Sequence, residues 1–80
     1  MIEMYFAMIK RSIKDLGHSK YVIRFGAEEF FASDTFECVC KRNAFPYDLW
    51  LEKIKQIIKE RGIRKKKLII ELSKEVKDYL

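Results

Sequence analysis

The chain has 80 residues, a net charge of +5 and a hydrophobic fraction of 49%, with three glycines and one proline. This composition argues against a disordered chain and is typical of one small domain with a modest apolar core. No stretch of about 18 apolar residues is present, so we expect no contact with a membrane. Cys38 and Cys40 are too close for an unstrained disulfide. We therefore expect reduced thiols and a cytoplasmic location.

The positive charge is concentrated in the second half of the chain. Residues 1–40 carry five basic and six acidic side chains, whereas residues 41–80 carry twelve basic and six acidic side chains. Six of the nine residues from 59 to 67 are basic, namely Lys59, Arg61, Arg64, Lys65, Lys66 and Lys67. Such a patch attracts phosphate groups or an acidic protein surface, although a solvated helix end explains it equally well.

Residues 2–16 are predicted to form a helix, because apolar residues recur at steps of three and four and Gly17 follows as a stop. A strand is the competing interpretation of the first few residues, which also alternate. Met4 and Met8 lie beside the main apolar stripe of this helix. Together with Leu49 they are spare apolar side chains, through which a homodimer could form.

Two segments, residues 20–25 and 35–41, alternate between apolar and polar side chains and are predicted to be antiparallel strands. Residues 27–32 fit either a third strand or one helical turn, and Ser33 with Asp34 is predicted to form a turn. Exposed aromatic rings on such a sheet could stack nucleic acid bases. We expect these rings to pack against the helices instead. The residues on the predicted apolar faces are Tyr21, Ile23, Phe25, Phe36, Cys38 and Cys40.

Residues 46–63 have the clearest helical pattern, with Trp50 on the apolar side. Pro46 suits the first helical position, and Gly62 can adopt the left-handed conformation that closes a helix. Residues 63–80 contain leucines and a valine at steps of four, which favours another helix ending at Leu80. An edge strand over residues 68–72 is the alternative.

These elements predict an α+β domain over residues 1–80, with a small antiparallel two- or three-stranded sheet packed against two or three helices. The sheet would cover one side of the N-terminal helix and of the helix that contains Trp50. The expected core consists of Phe6, Ile9, Ile13, Leu16, Ile23, Phe25, Phe36, Cys38, Trp50, Leu51, Ile54 and Ile58.

Residues 62–72 and the helix before them resemble the start of a repressor-type helix-turn-helix. A helix ends at Gly62, and an apolar residue, a polar run and Leu68 open the next helix. That family usually has a small residue where this chain has Ile69, and a glycine where it has Ser73. The resemblance therefore implies no base-reading role, and leaves sequence-independent contact with a phosphate backbone.

Residues suited to catalysis or metal binding are few. The single histidine, His18, lies in a predicted loop, and a cysteine would have to meet it in space to become a nucleophile. The two cysteines supply at most two of the four ligands that a structural zinc site needs. We therefore expect no enzyme activity, no cofactor and no metal site.

The expected function is that of a small non-catalytic binding module that contacts nucleic acid through the basic residues between 59 and 67. The alternative is a protein-binding module or inhibitor, of the kind that phages and other mobile elements encode. Such a module would dock on an acidic surface or on a partner that handles nucleic acid.

Overall fold

The structure is a computed structural model that describes residues 2–79, with side chains from residue 4 onward. The side chain of Ile2 and the whole of Leu80, which the sequence pattern assigns to the first and last helices, lie outside the described part. Residues 2–79 form five helices and no strand, so the predicted α+β fold and its antiparallel sheet are wrong. The helices are α1 (Ile2–Asp15), α2 (Tyr21–Phe31), α3 (Asp34–Arg42), α4 (Tyr47–Lys59) and α5 (Gly62–Lys77).

Helix α2 occupies the first segment that was predicted to be a strand. The alternation in residues 20–25 is short, and the helical spacing becomes clear only at Ala27 and Phe31, which are buried four residues apart. Ile23 and Phe25, both expected in the core, are 37% and 44% exposed. The side of α2 that packs on the bundle is therefore not the side that the alternation selects.

Helix α3 replaces the second predicted strand, and its first turn gives the reason. The hydroxyl of Ser33 accepts a hydrogen bond from the backbone N–H of Phe36 at 3.5 Å, which caps the helix. Asp34 and Glu37 lie in the first turn, where the helix dipole favours negative charge. Ser33 and Asp34 thus start a helix and do not form the turn of a hairpin.

The buried side of α3 also follows a helical period. Phe36, Val39 and Cys40 are buried at steps of three and one, as one face of a helix requires. Cys38 was predicted to share the core with Phe36, but it is exposed, because it lies two residues away and therefore on the other side of the helix.

Helix α4 confirms the helix predicted over residues 46–63, and α5 shows that the helical alternative is the correct one for residues 63–77. Gly62 has a φ of 65°, as expected, but it is the first residue of α5 and does not close α4. Helix α5 continues without a break through residues 68–72 and Ser73. Neither the edge strand nor the second turn of a helix-turn-helix therefore forms.

The helices pack around one core, in which α1 contacts α2 and α5, and α4 contacts α2, α3 and α5. Seven of the twelve predicted core residues are buried there; Leu51 is partly exposed, and Ile58 is exposed. Gly17 permits a close approach between the end of α1 and α5, since a Cβ atom at Gly17 would lie 2.8 Å from Cδ1 of Ile69. The buried core residues are Phe6, Ile9, Ile13, Leu16, Ala27, Phe31, Phe36, Val39, Cys40, Phe45, Trp50, Ile54, Ile57, Ile69, Leu72 and Val76.

Within the described residues, no helix combines the length and the apolar character needed to cross a bilayer.

Candidate functional site

A cleft of about 560 Å³ opens where the connection between α1 and α2 meets the connection between α4 and α5. Helix α2 forms one side of this cleft, and the first turns of α5 form the other. Among the described residues that line it, four side chains are cationic and two are carboxylates. We call it the basic cleft. Its charged residues are Arg24, Arg61, Lys65, Lys66, Glu28 and Glu60.

The six basic residues predicted as a binding patch do not form one surface. Arg61, Lys65 and Lys66 line the basic cleft. Successive residues of a helix are rotated by about 100°, so Lys67 lies on the side of α5 that faces away from the buried Ile69. The predicted residues that lie outside the cleft are Lys59, Arg64 and Lys67.

Arg24 is a residue of the basic cleft that the sequence interpretation did not include in the binding patch. Its Nη1 donates a hydrogen bond to the carbonyl oxygen of His18 at 3.2 Å, and its guanidinium carbon lies 5.7 Å from the centre of the Tyr21 ring. These two contacts hold a cation on the α2 side of the cleft. The helical spacing that relates Tyr21, Arg24 and Glu28 is the signal in the sequence that would have revealed it.

The surroundings of the basic cleft disfavour the charged form of Lys65. Burial lowers the pKa of Lys65 from its ordinary value, and the positive charges of Arg24 and Arg61 lower this pKa further, against an opposing effect of Glu28. Helix α5 begins with no acidic residue in its first turn and no capping side chain. Since the start of a helix favours negative charge, the local field at this position disfavours cations.

Two aromatic rings stack beside the basic cleft. The ring centres of Tyr21 and Phe25 are 5.7 Å apart, and their planes are inclined by 20°. Tyr21 is 65% exposed and also lines the cleft, so the expectation that this aromatic face packs in the core is wrong. We call these two rings the open pair.

The histidine and the cysteines do not come together. His18 lines the basic cleft, where its Nδ1 accepts a hydrogen bond from the backbone N–H of Lys20 at 3.0 Å. Cys38 lines a separate groove beside Tyr5. Burial raises the pKa of the Cys40 thiol to about 11, which leaves it protonated at neutral pH. In the described part of the chain, no three potential ligands are close enough to hold a metal ion.

The spare apolar side chains named for a homodimer are all exposed. Met4 and Met8 lie on α1, whereas Leu49 lies on α4. Their positions on two different helices do not by themselves define one surface patch. The homodimer therefore stays a prediction.

These features describe a small helical bundle with a basic cleft beside two exposed, stacked aromatic rings. Comparison of the chain with protein-family models, with curated proteins and with solved structures gave no significant match. Its function is therefore inferred from the geometry of the cleft.

Proposed function

We propose that this protein is a non-catalytic binding module whose basic cleft binds the phosphate backbone of nucleic acid. The observation that carries the proposal is the convergence of cations from distant parts of the chain. Arg24 comes from α2, whereas Arg61 and Lys65 belong to the start of α5, and all three line one cleft. A phosphate group bound there would relieve the repulsion among them.

The lowered pKa of Lys65 supports the same proposal. An ammonium group that is partly buried near Arg24 and Arg61 lacks the hydration that it would have in the unfolded chain. A bound phosphate supplies a negative charge in place of that hydration and favours the charged form of Lys65. A bound anion thus supplies the negative charge that the cations of the cleft lack.

The proposal includes no catalytic step. His18 and Cys38 line different clefts, and the thiol of Cys40 is buried and protonated. A nucleophilic cysteine needs a base within hydrogen-bond reach and a thiolate that its surroundings favour. We place the protein in the cytoplasm, because a reducing compartment keeps two such thiols free.

Two triple variants with the same change in charge test the proposal. The cleft variant carries Arg61→Gln, Lys65→Gln and Lys66→Gln. The outer variant carries Lys59→Gln, Arg64→Gln and Lys67→Gln, which removes three charges outside the cleft. Binding of the purified full chain to labelled DNA and RNA oligonucleotides is measured by fluorescence anisotropy over a salt series.

We expect the cleft variant to bind about tenfold more weakly than the wild type near 0.1 M salt, with a dependence on salt that is less steep by about two contacts. The outer variant should retain most of the affinity. Equal losses in the two variants would show that only the net charge matters, and the cleft would then have no special role.

Failure of the wild type to bind any oligonucleotide at low salt would overturn the proposal. The predicted acidic protein partner would then be the next candidate, and the same two variants would serve as its controls.

A further inference from the structure

The open pair differs from the other contacts between aromatic rings in the described part of the chain. In those contacts at least one ring is buried or packed against the core, as for Phe31 with Phe36 and for Phe45 with Trp50. Tyr21 and Phe25 are both exposed, and each finds its aromatic neighbour on its own helix. Packing of the core therefore does not account for these two rings.

The open pair lies on the same side of α2 as the cation of the basic cleft. At about 100° per residue, Tyr21, Arg24 and Phe25 fall within a sector of about 100°, with Tyr21 between the other two, whereas Val22 and Ile23 lie outside this sector. Those two line a separate groove between α1 and α2. Tyr21 therefore joins the open pair to the cleft, and Phe25 extends the pair beyond it through its stacking on Tyr21.

The juxtaposition of flat exposed rings and a basic cleft matches the chemistry of a single nucleic acid strand. Such a strand alternates phosphate groups with bases that are free to stack on aromatic side chains. The bases of a duplex are already stacked on one another and present their edges to a protein. An acidic protein surface would satisfy the cations but has no regular supply of flat rings.

We propose that the ligand of the basic cleft is a single-stranded nucleic acid, with a base stacked on the open pair and the adjacent phosphate held by Arg24, Arg61 and Lys65. This inference rests on the function proposed above and names the kind of nucleic acid. Stacking tolerates any base, so the binding has little sequence preference. Arg24 contacts the Tyr21 ring and lines the cleft, so it joins the two halves of the site.

The test separates stacking from charge. The ring variant carries Tyr21→Leu and Phe25→Leu, which keep apolar bulk and every charge but remove both flat rings. The matched control is Tyr5→Leu, which removes another exposed tyrosine, on α1 and outside the basic cleft. Affinities of the full chain are measured for a thymidine or uridine oligonucleotide and for a duplex of the same length.

We expect the wild type to prefer the single strand and the ring variant to lose about tenfold or more of that affinity. Its dependence on salt should stay close to that of the wild type, because every cation remains and Arg24 keeps its hydrogen bond to the carbonyl oxygen of His18. Binding to the duplex should change little in the ring variant, and Tyr5→Leu should bind both ligands as the wild type does. Far-ultraviolet circular dichroism checks that each variant retains its helices.

Three results would overturn the inference while the proposed function stands. One is equal affinity of the wild type for single strand and duplex, with the cleft variant weakened for both. Another is an unchanged affinity of the ring variant for the single strand. The third is a wild type that is a dimer in analytical ultracentrifugation and a ring variant that is a monomer, without any selective loss of single-strand binding. This result would assign the open pair to contact between copies of the chain. Absence of binding to all oligonucleotides would overturn both proposals.

Discussion

Two groups of aromatic rings in this protein differ in their surroundings. Trp50 is 1% exposed and lies between the rings of Phe45 and Tyr79, at centre-to-centre distances of 5.1 and 5.3 Å. Phe45 and Trp50 are buried near the start of α4, whereas Tyr79 follows α5, is 48% exposed and packs edge-on against both rings. We call these three rings the closed group. The open pair, Tyr21 and Phe25, comes from one helix and faces outward. Aromatic rings therefore differ in what they do here. Trp50 and its neighbours hold the bundle together, whereas Tyr21 and Phe25 remain accessible on its surface.

The polar contacts of the two groups also differ. Nε1 of Trp50 is buried and has no hydrogen-bond partner among the described residues, so its ring is held by packing. An unpaired buried N–H group costs about 1–3 kcal/mol, which the burial of a large ring outweighs. Tyr21 has the guanidinium of Arg24 near its ring and most of its surface free.

The largest expected effect comes from removing the ring of Trp50, which the rings of Phe45 and Tyr79 contact. We expect Trp50→Ala to lower the free energy of unfolding by about 3–5 kcal/mol, since a large cavity replaces the ring. Tyr21→Ala should lower it by less than about 1 kcal/mol, because an exposed ring loses little burial. Urea unfolding followed by circular dichroism measures both. Equal losses would mean that the open pair supports the fold and is not a free surface.

An intermediate effect is expected from two glycines that receive the same substitution. Gly62 has a φ of 65° at the edge of the basic cleft, so Gly62→Ala should cost about 1 kcal/mol of unfolding free energy through strain. Gly26 lies within α2 in open space and lacks such a φ, so Gly26→Ala should stabilise the protein by about 0.5–1 kcal/mol. Chemical denaturation of both variants checks the sign. A stabilising Gly62→Ala would contradict the left-handed start of α5.

The smallest effect is a gain of stability within the basic cleft. Lys65→Met keeps length and helix propensity while removing a charge near the start of α5, and we expect a gain of about 0.5 kcal/mol at neutral pH. Because the pKa of Lys65 is lowered by folding, the unfolded chain binds this proton more tightly. The wild type should therefore gain stability as pH rises toward the ordinary lysine value, and the advantage of Lys65→Met should shrink.

Unfolding curves at several pH values between neutrality and that limit measure this trend. A loss of stability in Lys65→Met at neutral pH would indicate that the attraction of Glu28 exceeds the repulsion from Arg24 and Arg61. The same variant should bind nucleic acid more weakly. Substitution of Trp50 would thus lower the free energy of unfolding, whereas substitution of Lys65 would raise it.

The residues that could be assigned from the sequence belong to long segments with one apolar stripe. Residues 2–16 and 46–63 repeat their apolar positions over several turns, so Ile9, Ile13 and Ile54 could be placed in the core. The strand assignment failed for α2 and α3 because a short apolar alternation fits both periods. The cap at Ser33 and the acidic first turn after it indicate a helix in residues 34–42, but serine and aspartate also favour turns, so this signal is ambiguous in the sequence alone.

The basic character between residues 59 and 67 and the helical character of most of the chain are properties of the sequence itself. They follow from side-chain charge and from apolar periods that hold wherever the helix packs. The tertiary structure alone decided which side of α2 is buried. That helix has apolar residues on several sides, and its neighbours cover the side of Ala27 and Phe31, which leaves Tyr21 and Phe25 outside. The same packing brings Arg24 to Arg61 and Lys65, because contact between distant segments depends on how helices meet and not on the pattern within any one of them.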